Sequence, residues 1–194
     1  MTVRKFPGRK FPGRTFLGRK LLASAAIGTA MTMSMPVQAE AGVLGSDSAA
    51  CSGGAGPAIR ANVFGLKDRT GELKLELYPA NEADFLKDDR DLIKEGKFFR
   101  RVRVPTPQSG AVALCIRAPN PGRYALLFTH NRDGKNKFDF WIDGAGFPSN
   151  MKLGRTRPKL NMAIINVGPG VTVTDIKAQY LRGLGGFAPL NYGD

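Results

Sequence analysis

The sequence predicts an all-β protein, an immunoglobulin-like or transthyretin-like β-sandwich of about seven strands. Three observations predict it. Period-two alternation recurs along the chain, most strictly in "GELKLELY", where Leu73, Leu75 and Leu77 share one face and Glu72, Lys74 and Glu76 the other. Turns rich in Gly, Pro, Asn and Asp separate the alternating runs. No segment carries the 3.6-residue apolar period of a long helix.

Taken in order, "AIRANVFGL" places Ile59, Ala61 and Val63 on one side of a strand. "KDRTG", with Asp68 and Gly71, joins it to "GELKLELY" as a hairpin loop. The strict alternation of the second strand implies one wet face. Residues 81–96, "NEADFLKDDRDLIKEG", are charged and only loosely periodic. They read as a short helix or a charged loop over a sheet edge, where charge discourages edge-to-edge pairing. "KFFRRVRVP" and "GAVALCIRA" alternate again. "GRYALLFTH" is apolar on both faces and reads as a central strand. "KLNMAIINVG" and "VTVTDIKAQYL" complete the set. In the last, Val171 and Val173 fall on one phase and Ile176, Ala178 and Tyr180 on the other, which reads as a β-bulge near Asp175.

The ends have other characters. Residues 1–39 hold seven Lys or Arg and no acid, then the apolar run "LLASAAIGTAMTMSM", then small residues at Val37 and Ala39. A positive front, an apolar stretch and a small-residue exit describe a secretory signal peptide, with cleavage expected after Ala39. The run is shorter than the ~20 apolar residues of a membrane span and is diluted by Ser and Thr, so no transmembrane segment is expected in the mature chain. "PGRTFLG" resembles a twin-arginine signal with Gly13 in place of the first arginine, which favours the general secretory route. The location expected is therefore periplasmic or secreted. Residues 40–57 read as a flexible leader, 58–182 as the sandwich and 183–194 as a loose tail.

The whole chain carries +13, but without its first 39 residues 22 basic face 16 acidic residues, or +6. That is too mild for a nucleic-acid footprint. Cys51 and Cys115 are the two cysteines, and outside the cytoplasm an even count predicts a disulfide between them.

The order of motifs, "VFGLKDRTGELKLELY", "DFL", "CIRAPNPGRYALLFTHNRDGKNKFD" and "GFPSN", resembles the DUF2141 family of exported bacterial domains. The resemblance spans roughly residues 59–182. It implies a small prealbumin-like sandwich and no defined activity. The family's usual loop resembles His-Asp-x-Asn-x-Asn-Gly-Lys-x-Asp. Here His130, Lys137 and Asp139 match, Asn131 replaces the Asp, Asp133 the first Asn, Lys135 the next oxygen donor and Asn136 the glycine.

Loop 129–150 concentrates the candidate chemistry. Asn131, Asp133 and Asp139 are the oxygen donors available to Ca²⁺, which takes six to eight oxygens, so calcium is a candidate cofactor with a thin ligand set. The plainer reading is a capped turn, with Lys135 or Lys137 paired to Asp133 or Asp139 and His130 donating to a loop carbonyl. His130, Phe140, Trp141, Phe147 and Asn150 are the candidate ligand-binding residues, since aromatic faces beside polar groups suit a glycan or a protein of the envelope. Catalysis is the weakest reading. His130, Asp139 and Ser149 form no recognisable nucleophile elbow, and the acids of "DDRDLIKE" suit a charged edge helix. Function is expected to be non-enzymatic binding, with a calcium-stabilised structural domain as the alternative and a hydrolase using His130 as the least favoured.

Overall fold

A computed structural model describes residues 42–54, 56–135 and 137–190. The signal segment and its cleavage point lie outside the described residues, as does Asn136. Two sheets face each other. The first is three-stranded, in the order β4 (Val112–Arg117), β1 (Ala58–Phe64), β8 (Val171–Lys177), with β1 antiparallel to β4 and parallel to β8. The second contains β3 (Arg100–Pro105), β2 (Glu72–Pro79), β5 (Gly122–Asn131), β6 (Gly144–Gly146), β9 (Gln179–Leu181) and β10 (Phe187–Pro189) in that spatial order. A further strand, β7 (Ile164–Val167), pairs with the first half of β5, in line with β6 along the same edge. The fold class is all-β, as expected. The described residues form ten strands rather than about seven, because three-residue strands such as β6 are too short to show a period.

Alternation built the main core. Leu73, Leu75 and Leu77 of β2 meet Ile59 and Ala61 of β1, Leu114 and Ile116 of β4, and Leu126 and Phe128 of β5, all fully enclosed. The central position expected for β5 holds, since Ala125 and Leu127 on its other face join a second cluster with Tyr78, Phe85, Phe147 and Phe187. "PNPGRYAL" works as a corner: the Tyr124 hydroxyl donates to the Asn120 carbonyl at 2.8 Å and its ring packs on Phe98.

Several local expectations change. The face of β2 expected to be wet is covered, with Lys74 5% and Glu76 8% exposed. Alternation distinguishes two faces; it does not say that the charged one meets solvent. No bulge interrupts β8, which pairs one-to-one with β1 from Val171 to Lys177. There Thr172, Thr174 and Ile176 lie in register with Ile59, Ala61 and Val63 on the inner side, and Val173 is exposed. The apparent phase slip came from valines on the outer face. "KLNMAIINVG" divides into a one-turn helix, α3 (Leu160–Ala163), and β7. Residues 81–96 do contain a short helix, α2 (Asp89–Lys94), capped by Asp88, whose side chain accepts the Arg90 N–H.

In the two segments expected to be loose, the described residues are tied down. Leu44 bridges to Leu114, α1 (Ser48–Ser52) follows, and Cys51 and Cys115 lie at disulfide distance with Cα atoms 6.0 Å apart. Buried Asp47 accepts the Arg117 N–H at 2.8 Å and a two-pronged ion pair from Arg100. At the other end, Phe187 is buried and β10 pairs with β9. None of the helices of the described residues is long and apolar enough to cross a membrane.

Candidate functional site

Loop 129–150 is organised around its buried polar groups. His130, at the end of β5, is fully enclosed. Its Nε2 lies 2.8 Å from the Thr70 carbonyl, an acceptor only, so Nε2 carries the proton. Nδ1 then accepts from the Tyr180 hydroxyl at 2.7 Å, and that oxygen accepts the Lys67 N–H at 3.0 Å. Burial pushes the imidazole below its ordinary pKa, against the pull of the Thr70 carbonyl and Asp68, and keeps it neutral. Two glycines permit this packing. A Cβ on Gly71, at φ +68°, would lie 2.1 Å from the Asn131 carbonyl, and one on Gly144 would lie 2.3 Å from the Tyr180 ring.

The acidic residues are mostly committed to the backbone or to cations. Asp143, 1% exposed, accepts the Arg132 N–H at 2.8 Å and the Asp139 N–H at 2.9 Å, and so closes the loop on itself. Partial burial works against ionisation of Asp68, yet Arg132 and the N–H and hydroxyl of Thr70 hold its carboxyl far below the usual range. Of the candidate calcium donors, Asn131 turns its amide nitrogen to Glu72 and the Lys135 carbonyl. Asp133 and Asp139 share a cation already: the Lys135 ammonium lies 2.8 Å from one and 3.9 Å from the other. It holds the Asp133 carboxyl below its ordinary value. Among the described residues, no group of three His, Cys, Asp or Glu side chains converges as a metal site would need.

The other candidates separate into two sets. Asn150, at φ +53°, ties its loop to β8: its amide donates to the Asp175 carbonyl at 2.8 Å and its oxygen accepts the Lys177 N–H at 2.6 Å. Phe147 is buried in the outer cluster. Phe140 and Trp141 are exposed. Ser149 accepts the Met151 N–H at 3.2 Å, in a turn separate from the His130 contacts. Three acids of residues 88–95 are engaged as well: Asp88 pairs with Arg90 at 3.1 Å, Asp89 with Arg101 at 2.7 Å and Glu95 with Lys97 at 3.0 Å.

A site not anticipated from the sequence lies on the outer face of the larger sheet. Register aligns Arg103, Lys74, Thr129 and Ala145 across β3, β2, β5 and β6, with Arg101, Glu76 and Leu127 as the neighbouring row. These side chains floor a cavity of about 320 Å³, walled by Leu86, Phe138, Phe147 and Pro158. Arg101 is locked there. It pairs with Glu76 and Asp89, and its guanidinium lies 4.9 Å over the Phe99 ring. The Tyr78 hydroxyl donates to Glu76 at 3.0 Å; burial first, and the Glu76 charge second, push its pKa up. Lys74 sits 3.0 Å from Glu72. Arg103 differs: it is partly exposed and reaches Glu72 only at 3.8 Å, leaving donors to spare. The signal for this floor was present in "LKLELY" and "RRVRV", whose charged positions alternate in phase, but pairing them requires the register.

A family model described as "Uncharacterized protein conserved in bacteria (DUF2141)" matches residues 61–175. The chain belongs to the DUF2141 family. The match runs from within β1 into β8 and so takes in the His130 loop and every strand of the cavity floor. No curated protein and no solved structure matches the chain. DUF2141 membership thus names the domain and assigns it no activity.

Proposed function

We propose that this DUF2141 protein is an exported, non-enzymatic binding domain that holds an acidic sugar unit of an envelope glycan on the outer face of its larger sheet. The observation that carries the reading is the cavity floor, where the underused Arg103 guanidinium lies beside Lys74, Glu76 and Thr129 under an aromatic wall, Phe138. A carboxylate is matched by a planar fork of donors, sugar hydroxyls by mixed donors and acceptors, and the apolar face of a sugar ring by an aromatic plate. The volume falls in the range of small-ligand pockets. Loop 129–150 contributes to the walls through Phe138 and Phe147.

Export is supported by the basic, then apolar, front of the chain and by the disulfide-distance pair Cys51–Cys115 in a bacterial family. The non-enzymatic reading rests on His130, whose two ring nitrogens are already used inside the fold. A base must reach the proton that it abstracts.

Calorimetric titration with trigalacturonate tests the reading, with maltotriose as the uncharged control. Binding of the acidic sugar alone is expected, and Arg103→Ala should weaken it at least about tenfold, the loss of a charge-assisted contact. Equal binding of both sugars, no binding of either, or an unaffected Arg103→Ala variant would dismiss the cavity as an acidic-sugar site.

A further inference from the structure

Beside the cavity the surface changes character. Trp141 is 78% exposed, Phe138 46% and Phe140 41%, an unusual display of large rings. They form one patch. Phe140 stacks edge-on to Trp141 at 5.8 Å and to Phe187 at 4.9 Å, and Phe138 lies 6.0 Å from Phe187. A trough of about 260 Å³ runs along the patch, and its far side is Arg155, Thr156 and Arg157. Those arginines belong to residues 151–160, which hold Lys152, Arg155, Arg157 and Lys159 and no acid. All four are exposed, and among the described residues none forms a salt bridge. Arg157 reaches the Phe85 and Leu86 carbonyls, which orients it without neutralising it.

We infer that this aromatic and basic face docks on an anionic lipid surface. Tryptophan and phenylalanine partition into the headgroup boundary, where a ring is part apolar and part wet. Unneutralised lysines and arginines beside them add attraction to anionic headgroups within a Debye length. Aromatic residues alone would fit an apolar partner, and cations alone any anion. The adjacency of the rings to Arg155 and Arg157 across one trough, with neither arginine in a salt bridge among the described residues, matches a surface that is negative outside and apolar beneath. Docking there would hold the neighbouring cavity close to the membrane.

Trp141 is the chain's one tryptophan, so its fluorescence reports on this face alone. The test adds vesicles of phosphatidylglycerol and phosphatidylcholine, or of phosphatidylcholine only, to the full chain. Every variant keeps the same basic front, so that contribution cancels in the comparison. A blue shift of Trp141 emission is expected with the anionic vesicles only. Arg155→Gln should lower partitioning by roughly fivefold, the loss of one charge near the surface, with an unchanged melting temperature. Arg103→Ala should dock normally, so failure of the sugar reading and failure of this one are separable. No emission shift, an equal shift with uncharged vesicles, or full partitioning by the Arg155→Gln chain would overturn the inference.

Discussion

Replacing Tyr180 by Phe removes one oxygen and leaves the ring in place, so the loss can be read almost directly from the contacts. The hydroxyl donates to His130 Nδ1 at 2.7 Å and accepts the Lys67 N–H at 3.0 Å. His130 is fully enclosed and Tyr180 is 2% exposed, so water does not replace the oxygen without opening the sandwich. The imidazole cannot turn to recover a partner either, because Nε2 is held by the Thr70 carbonyl at 2.8 Å. A buried acceptor and a backbone donor are left unpaired, each at about 1–3 kcal/mol, and a total near 3 kcal/mol follows if Lys67 finds some water. For a domain of this size that lowers the melting temperature by about 6–12 °C. Urea unfolding followed by circular dichroism measures it, with an unchanged m-value showing that only stability moved. A loss below about 0.5 kcal/mol would mean that the His130–Tyr180–Lys67 chain does not hold loop 129–150, and the account of this loop as a structural brace would fall.

The other predictions concern acid, thiol and calcium. Because His130 is neutral in the fold with a pKa below its ordinary 6.5, the unfolded chain binds its proton first as pH falls. Its contribution to stability is therefore complete above about pH 6.5 and declines below it. The charges around it, Asp68, Arg132 and Asp143, stay in place in a His130→Gln variant, so unfolding measured from pH 7.5 to 5 should lose much of this slope; an identical slope would place the acid sensitivity elsewhere. Cys51→Ala with Cys115→Ala opens a cross-link of sequence separation 64, worth up to about 4 kcal/mol, and a reductant should lower the unfolding free energy of the wild type by a similar amount; equal stability with and without reductant would refute the cross-link. Since Lys135 supplies the cation between Asp133 and Asp139, millimolar Ca²⁺ should leave the melting temperature within about 1 °C, and a rise with concentration would instead give these carboxylates a calcium role by mass action.

What the sequence determined by itself follows from what is local in its physics. Alternation specifies strands, so β1, β2, β4 and the central β5 were legible, as was the pairing of Cys51 with Cys115; the hairpin expected at Asp68 and Gly71 was not formed, because that loop carries the chain from β1 in one sheet to β2 in the other. The crowding of Asn, Asp and aromatic residues in loop 129–150 was legible too. Its chemistry was not. His130 and Phe147 are enclosed while Phe140 and Trp141 face outward, and the partner that holds His130 inside is Tyr180, a residue 50 positions beyond it. The cavity was invisible for a related reason. Lys74 and Glu76 looked like solvent-facing positions in one strand; only the register with Arg103, Arg101 and Thr129, and the loops carrying Leu86, Phe138 and Pro158 over them, make them the floor of a site. Alternation tells which side chains share a face of a strand, and the tertiary structure decides what stands opposite that face, because such contacts join segments too far apart in the chain for local pattern to couple them.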